Sequence, residues 1–192
     1  MAAVLQWMQE NGLRLNPDKT EVLRVGAPPI SGLGSFLSFV GMTFTTKSVV
    51  HSLGVHLDPA LGMESHVASV VYTTHLHLRQ IGQLHSYLDV GALTTLVHAF
   101  IISRRDYCNA LYMGLPLRLM QKMQMVQNTA SRLLTGVKKY HHISPTLVAL
   151  HWLPICFCID FKVLILTYKA LNGLGPRYLT ERLLPPSSTR VT

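Results

Sequence analysis

Acidic residues are scarce in this 192-residue chain: nine Asp and Glu stand against seventeen Lys and Arg, a formal charge of +8. They are scattered singly, with no Asp-Asp pair. The carboxylates that would converge on two metal ions ~4 Å apart are therefore missing from the pattern. Cysteine is sparse too. Three residues, an odd number without framework spacing, argue against a disulfide scaffold and suit a reducing compartment. No apolar run approaches the ~18 residues that span a bilayer. The densest, Leu96 to Ile102, is interrupted by His98 and stopped by Ser103-Arg104-Arg105-Asp106. The opening MAAVLQWMQEN has no basic segment before its apolar residues, unlike a secretion signal. No GxGxxG follows a strand pattern and no GKS or GKT appears, so the common phosphate cradles are missing. What is plentiful is apolar. A hydrophobic content of 48% is ample for a core and excludes wholesale disorder. The length fits one domain, or one plus a partial second. Together these features predict a globular intracellular chain, cytoplasmic or nuclear, with no membrane partner.

The charge is lopsided. Residues 1–96 carry five basic and six acidic side chains, a net of −1; residues 97–192 carry twelve and three, a net of +9. An excess confined to one half suits a polyanionic partner. Its interleaving with helical apolar patterning predicts that these charges decorate a folded unit.

Along the chain, AVLQWMQE (3–10) predicts a helix with Val4, Leu5, Met8 and Trp7 on its apolar side, stopped by Asn11-Gly12. Asn16-Pro17-Asp18 is turn chemistry, and the alternation from Glu21 to Val25 predicts a strand. Residues 26–41 read as a Gly- and Pro-rich loop with one poor strand near Phe36–Val40. The β-branched stretch 42–57 predicts a hairpin or two short strands. From Met63 the period becomes helical, with Val67, Val70, Val71, Leu76 or Leu78, Ile81 and Leu84 in one stripe. Asp89 caps the next helix, with Leu93, Leu96, Val97, Phe100 and Ile101 as its apolar set. Pro116 sits at the first position of a helix carrying Leu119, Met123, Val126, Ala130 and Leu133, which Gly136 closes. A short helix starts at Ser144-Pro145 and ends at Trp152–Pro154. Residues 155–171, apolar nearly all round, read as a buried central helix. Asn172-Gly173 stops it, and Gly175-Pro176 opens a last helix through Leu184. The expected organisation is α+β: a small mixed piece over 1–60, an all-helical domain over 61–184 and a tail over 185–192.

The candidate chemistry is uneven. Asp18 and Glu21, the closest acids, read as a turn acid and a strand-edge charge. Cys156-x-Cys158 with His151 nearby has the elements of a soft-metal site, yet residues two apart on a helix point about 200° apart, which favours packing. The ten histidines form no zinc or triad pattern. The basic positions carry more. Arg118, Lys122 and Arg132 fall on the side of their helix away from Leu119, Met123 and Val126, and Lys138-Lys139-Tyr140-His141-His142 follows Gly136 directly. A basic helix face joined to a basic loop with an aromatic is a plausible nucleic-acid track. An ordinary solvated face is the competing reading.

Five ordered blocks add a resemblance: WMQENGLRLNPDKTEVLRVG, SVVHSLGVHLD, SRRDYCNALYMGLP, MQMVQNTASRLLTG and LHWLPICFCIDFKVLILTYKALNGLGPRYL. In this order, over essentially the whole chain, the sequence resembles the C-terminal part of the reverse transcriptase of non-LTR (LINE-type) retrotransposons. The resemblance implies an α+β fold, a helix and β-hairpin remnant of the polymerase palm followed by an all-helical thumb-like domain. It implies that Lys19 in the LNPxKT-like turn lies near the incoming nucleotide's phosphates as an accessory general acid. It implies that the hairpin at Ser52, Leu53, Gly54 and Val55 acts as a primer grip, and that the helical remainder contacts an RNA/DNA template–primer duplex. An intact reverse transcriptase is a further implied partner. The family's catalytic aspartates, which hold its Mg²⁺, precede the region matched by Met1. The resemblance thus implies a truncated fragment of an RNA-directed DNA polymerase, inactive alone, with no cofactor and no metal ligands of its own. Two departures stand out: Cys156 and Cys158 replace expected arginines, and Arg105 replaces an apolar residue. The alternatives are a non-catalytic helical interaction module, or a decayed retrotransposon remnant without nucleic-acid function.

Overall fold

The computed structural model describes residues 2–26, 36–39 and 42–183. The chain is mixed helix and strand, and it divides into two compact units, Met1–His66 and Val67–Thr192.

In the first unit, α1 (Ala2–Glu10) ends where Gly12 adopts φ 67° and the Leu13 N–H donates back to the Met8 carbonyl at 2.7 Å. Its buried side is narrower than the sequence predicts: Leu5 and Met8 are half-buried, whereas Val4 and Trp7 are exposed. Asn16 builds the following turn, its Oδ1 accepting from the Asp18 N–H at 3.0 Å and its carbonyl from Thr20 Oγ1 at 2.7 Å. The strand expected over Glu21–Val25 does not form. Val22 makes an isolated parallel bridge to Thr46, and the Glu21 carboxylate ties the segment instead, pairing with Lys47 and accepting the His51 N–H at 3.1 Å. A side-chain anchor replaces a ladder.

The strands form two separate antiparallel pairs, β1 (Phe36–Phe39) with β2 (Met42–Thr45), and β3 (Val50–Ser52) with β4 (Val55–Leu57). The register of the second pair, Val50↔Leu57, His51↔His56 and Ser52↔Val55, leaves a two-residue turn. Leu53 and Gly54 fill it with φ 47° and 82°, the signs of a type I′ hairpin turn. Asn-Gly is the usual occupant because a β-carbon resists this conformation; here a leucine holds it. Phe44, Val55 and Met63 are the unit's buried apolar residues among those described.

The second unit is helical. Along α2 (Glu64–Leu84), Val67, Thr74, Leu78 and Ile81 are buried. Leu78 rather than Leu76 takes the core position, and Leu84 is exposed. Asp89 caps α3 (Val90–Val97), its Oδ1 accepting from the Ala92 N–H at 2.6 Å. A π-helical turn, His98–Ile102, leads into α4 (Ser103–Asp106). That wider turn buries Ile101 and leaves Phe100 exposed, so Phe100 is not part of the core face. Pro116 with ψ 141° stands just outside α5 (Leu117–Thr135), one position earlier than its spacing suggests, and Gly136 at φ 67° closes the helix. Leu78, Ile81, Leu93, Val97, Ile101, Val126 and Ala130 make one cluster from α2, α3, the π turn and α5.

After α6 (Ser144–Ala149), two glutamines of α5 hold the start of α7 (Ile155–Leu171). Gln127, fully buried, donates through Nε2 to the Leu153 carbonyl at 2.8 Å, and Gln124 Oε1 accepts the Ile155 N–H at 2.9 Å. The second bond satisfies one of the N–H groups that a helix start leaves open. The buried central helix expected over 155–171 is only half realised. Ile155, Ile159 and Ala170 are buried, while Phe157, Phe161, Leu164, Tyr168 and Leu171 are exposed. A helix that is apolar all round has one side in the core here and the other open. Gly175 sits against it so closely that a β-carbon there would stand 3.2 Å from Ala170 Cα. The short α8 (Arg177–Thr180) returns Thr180 Oγ1 to the Ala170 carbonyl at 2.9 Å. Leu184 and the tail 185–192 lie outside the described residues, as do 27–35, Val40 and Gly41 of the expected loop. Among the described residues, no helix is long and apolar enough to cross a membrane.

Candidate nucleic-acid interface

On α5, successive residues rotate by about 100°, which puts Arg118, Lys122 and Arg132 within a sector of about 80°. Met125 and Thr129, both exposed, fall in the same sector. The buried Leu119, Met123, Val126 and Ala130 lie on another side, turned by about 80–140° from the centre of that sector. From Arg118 to Arg132 the face runs about 21 Å at 1.5 Å per residue. A duplex presents roughly 12 phosphate charges over that length.

Arg118 and Lys122 are exposed, but Arg132 is half-buried. Its Nη2 donates to the carbonyls of Lys139 at 3.4 Å and His141 at 3.2 Å. Arg132 thus fastens the Lys138–His141 loop to the end of α5 rather than standing free on its face. In the loop, Lys138 and Lys139 are exposed. Lys138 Nζ lies 5.9 Å from the Tyr140 ring centroid, and the Tyr140 and His141 rings are 4.7 Å apart. Tyr140 is itself exposed. It belongs in the candidate site as a surface on which an unpaired base could stack, and its only sequence signal is an aromatic embedded in a basic run.

Lys19 and the hairpin tip belong to the first unit. Lys19 ends the single 3₁₀ turn Pro17–Lys19 and is exposed, with its N–H donating to the Asn16 carbonyl at 3.3 Å. Of the hairpin residues, Ser52, Leu53 and Gly54 are exposed whereas Val55 is buried at 4%, so the Val55 side chain serves the unit's interior. Behind the hairpin stand three imidazoles. The His51 and His56 rings are 4.9 Å apart, the His56 and His66 rings 6.0 Å apart, and the His56 N–H meets His66 Nδ1 at 3.4 Å. Burial, then the neighbouring His56 and His51, hold His66 below its ordinary value.

The acids and thiols occupy structural positions. Among the described residues, no group of three or more His, Cys, Asp or Glu could hold a metal ion. The Mg²⁺ that the family resemblance implies therefore finds no ligand set there, and no metal-dependent step is assigned to these residues. Glu21, engaged by Lys47 and by the His51 N–H, is held below the usual carboxylate range. Cys156 is exposed, while Cys158 is half-buried with Sγ 3.2 Å from the Leu153 carbonyl, and burial pushes its thiol up. Cys158 lines a tight pocket with Arg105, Asp106, Asn109 and Tyr112. Arg105 is nearly buried there and pairs with Asp106 at 2.8 Å, its Nη1 without a partner. Burial pushes the Tyr112 phenol up to about 12. Arg105 occupies an interior position.

Comparison of the chain with family models, with curated proteins and with solved structures found no match.

Proposed function

We propose that this chain acts as the palm-end and thumb-like part of a LINE-type reverse transcriptase, holding an RNA/DNA template–primer duplex through its second unit. The observation that carries the reading is the pair of hydrogen bonds that Arg132 donates to the Lys139 and His141 carbonyls. It joins the Arg118–Lys122 face to the Lys138–Lys139 loop as one basic surface, in a half of the chain with a net charge of +9 by twelve basic against three acidic residues. Lysine and arginine side chains that meet phosphates confer affinity without reading sequence, as a polymerase sliding along its product requires. Tyr140 adds a stacking surface at the loop's tip. In the same reading Lys19 faces nucleotide phosphates, and the backbone of Ser52–Gly54 supports a primer end.

Photocrosslinking tests the assignment. A hybrid duplex carrying photoreactive groups along its backbone is expected to label peptides from 118–141 at low salt. No labelling in 118–141, or none at all, would overturn it.

A further inference from the structure

Five of the six large exposed apolar residues of α7 fall in a regular series, Phe157, Phe161, Leu164, Tyr168 and Leu171, spaced four, three, four and three; the sixth, Leu166, is 39% exposed on the opposite side. The five are 57%, 58%, 66%, 64% and 59% exposed. On a helical projection they occupy a stripe within about 40° of its centre line, opposite the side that buries Ile155, Ile159 and Ala170. A strict alternation of four and three is the pattern of a coiled-coil seam, narrower than the stripe a helix uses against its own core. Single exposed apolar side chains are ordinary on a protein surface; a continuous row of five, three of them aromatic, is not.

We infer that this seam is a self-association surface, on which α7 of one copy lies against α7 of a second copy. The area supports that occupant. At roughly 200 Å² for a side chain of this size, the five residues leave on the order of 500–600 Å² of surface open per copy. Two seams face to face bury on the order of 1,000–1,200 Å², the threshold of a specific interface. Asp160 borders the seam about 60° from its centre line, while Lys162 and Lys169 lie about 120–140° round the helix, away from the seam. Crossing at the seam keeps the packed side of each α7 on its own unit, so no rearrangement is needed. The inference rests on the apolar row alone and is independent of the nucleic-acid reading.

Sedimentation equilibrium of the full chain from about 1 to 200 µM, without nucleic acid, tests it. A monomer–dimer equilibrium with a dissociation constant in the micromolar range is expected. Phe161→Asp combined with Leu164→Asp, and separately Tyr168→Glu, should each weaken it at least tenfold. Because these side chains are exposed, the far-ultraviolet circular dichroism of the monomer should stay unchanged, and Tyr168→Glu serves if the double variant fails to fold. Lys162→Glu with Lys169→Glu, off the seam, should leave the constant within about threefold. A monomer throughout the range, open-ended aggregation, or a dimer indifferent to the seam variants would overturn the inference.

Discussion

Arg132 Nη2 donates to the main-chain carbonyl of His141 at 3.2 Å, so a side chain on α5 determines where the following loop sits. This bond changes what Arg132 is for. The helical spacing makes it a third phosphate contact beside Arg118 and Lys122; the structure makes it the part that positions two others. Both bonds leave one nitrogen whose N–H directions are fixed by the planar guanidinium, an orientation that an ammonium on a flexible stem does not reproduce.

Arg132→Lys should therefore behave like Arg132→Ala. Both are expected to weaken duplex binding by about three- to tenfold, equivalent to ~0.7–1.4 kcal/mol, and to raise hydrogen exchange at the amides of 138–141. Titration of a labelled duplex together with exchange mass spectrometry checks this. If Arg132→Lys kept full affinity and a protected loop, the positioning role would be wrong.

The histidine group makes the first unit acid-sensitive. His66 is held below its ordinary value, chiefly by burial and then by His56 and His51, so the folded state favours its neutral form. Its contribution to stability is complete above the unfolded value of about 6.5 and declines as pH falls below it. Glu21, which binds the His51 N–H, is the nearby acid that holds β3 in place. Hydrogen exchange corrected for intrinsic rates should show residues 50–66 loosening between pH 7.5 and 5.5, with His66→Gln reducing the difference. Equal protection at both pH values would contradict the assignment.

Arg105 has one carboxylate, Asp106, and that partner is 44% exposed while the guanidinium side chain is 8% exposed. A buried charge with incomplete pairing is often replaced by an apolar side chain without loss. Arg105→Met is expected to leave the melting temperature unchanged or to raise it by a few degrees, and Asp106→Ala to lower it. Differential scanning calorimetry decides, and a fall of more than about 5 °C for Arg105→Met, roughly 1 kcal/mol or more, would show that the arginine supports the fold.

The two cysteines of α7 should separate kinetically. Cys156 is exposed, whereas Cys158 is half-buried with its thiol pushed up by burial, and the thiolate is the reactive form. At pH 7.5 iodoacetamide should modify Cys156 at least several-fold faster, as located by peptide fragmentation. Comparable rates would place Cys158 at the surface.

Local signals were the readable ones. Helix ends depend on a cap a few residues away, so Asp89, Gly136 and Asn172 mark real boundaries. Alternation over Glu21–Val25 misled because it records side-chain type, not the presence of a neighbouring strand, and Glu21 engages Lys47 and His51 from far along the chain. The composition of 155–171 likewise states how apolar α7 is, not how many of its sides are covered. At the candidate interface, periodicity was enough to put Arg118 and Lys122 together. The Arg132 bond to the loop was not legible, because an acceptor on the main chain leaves no trace in residue identity. Nor were the roles of Gln124 and Gln127, which hold the start of α7 through the same kind of bond.

The central claim is that the α5 face and the loop after it meet phosphates. The measurement that tests it most directly is the salt dependence of binding to an RNA–DNA hybrid, followed by fluorescence anisotropy from about 25 to 200 mM salt. With Arg118, Lys122, Lys138 and Lys139 as the four contacts, the slope of log affinity against log salt should be roughly −3 to −4. Lys138→Glu with Lys139→Glu should cut it to about half and weaken binding alike on every sequence tested. An affinity that ignores salt, or that survives the double charge reversal, would contradict the account.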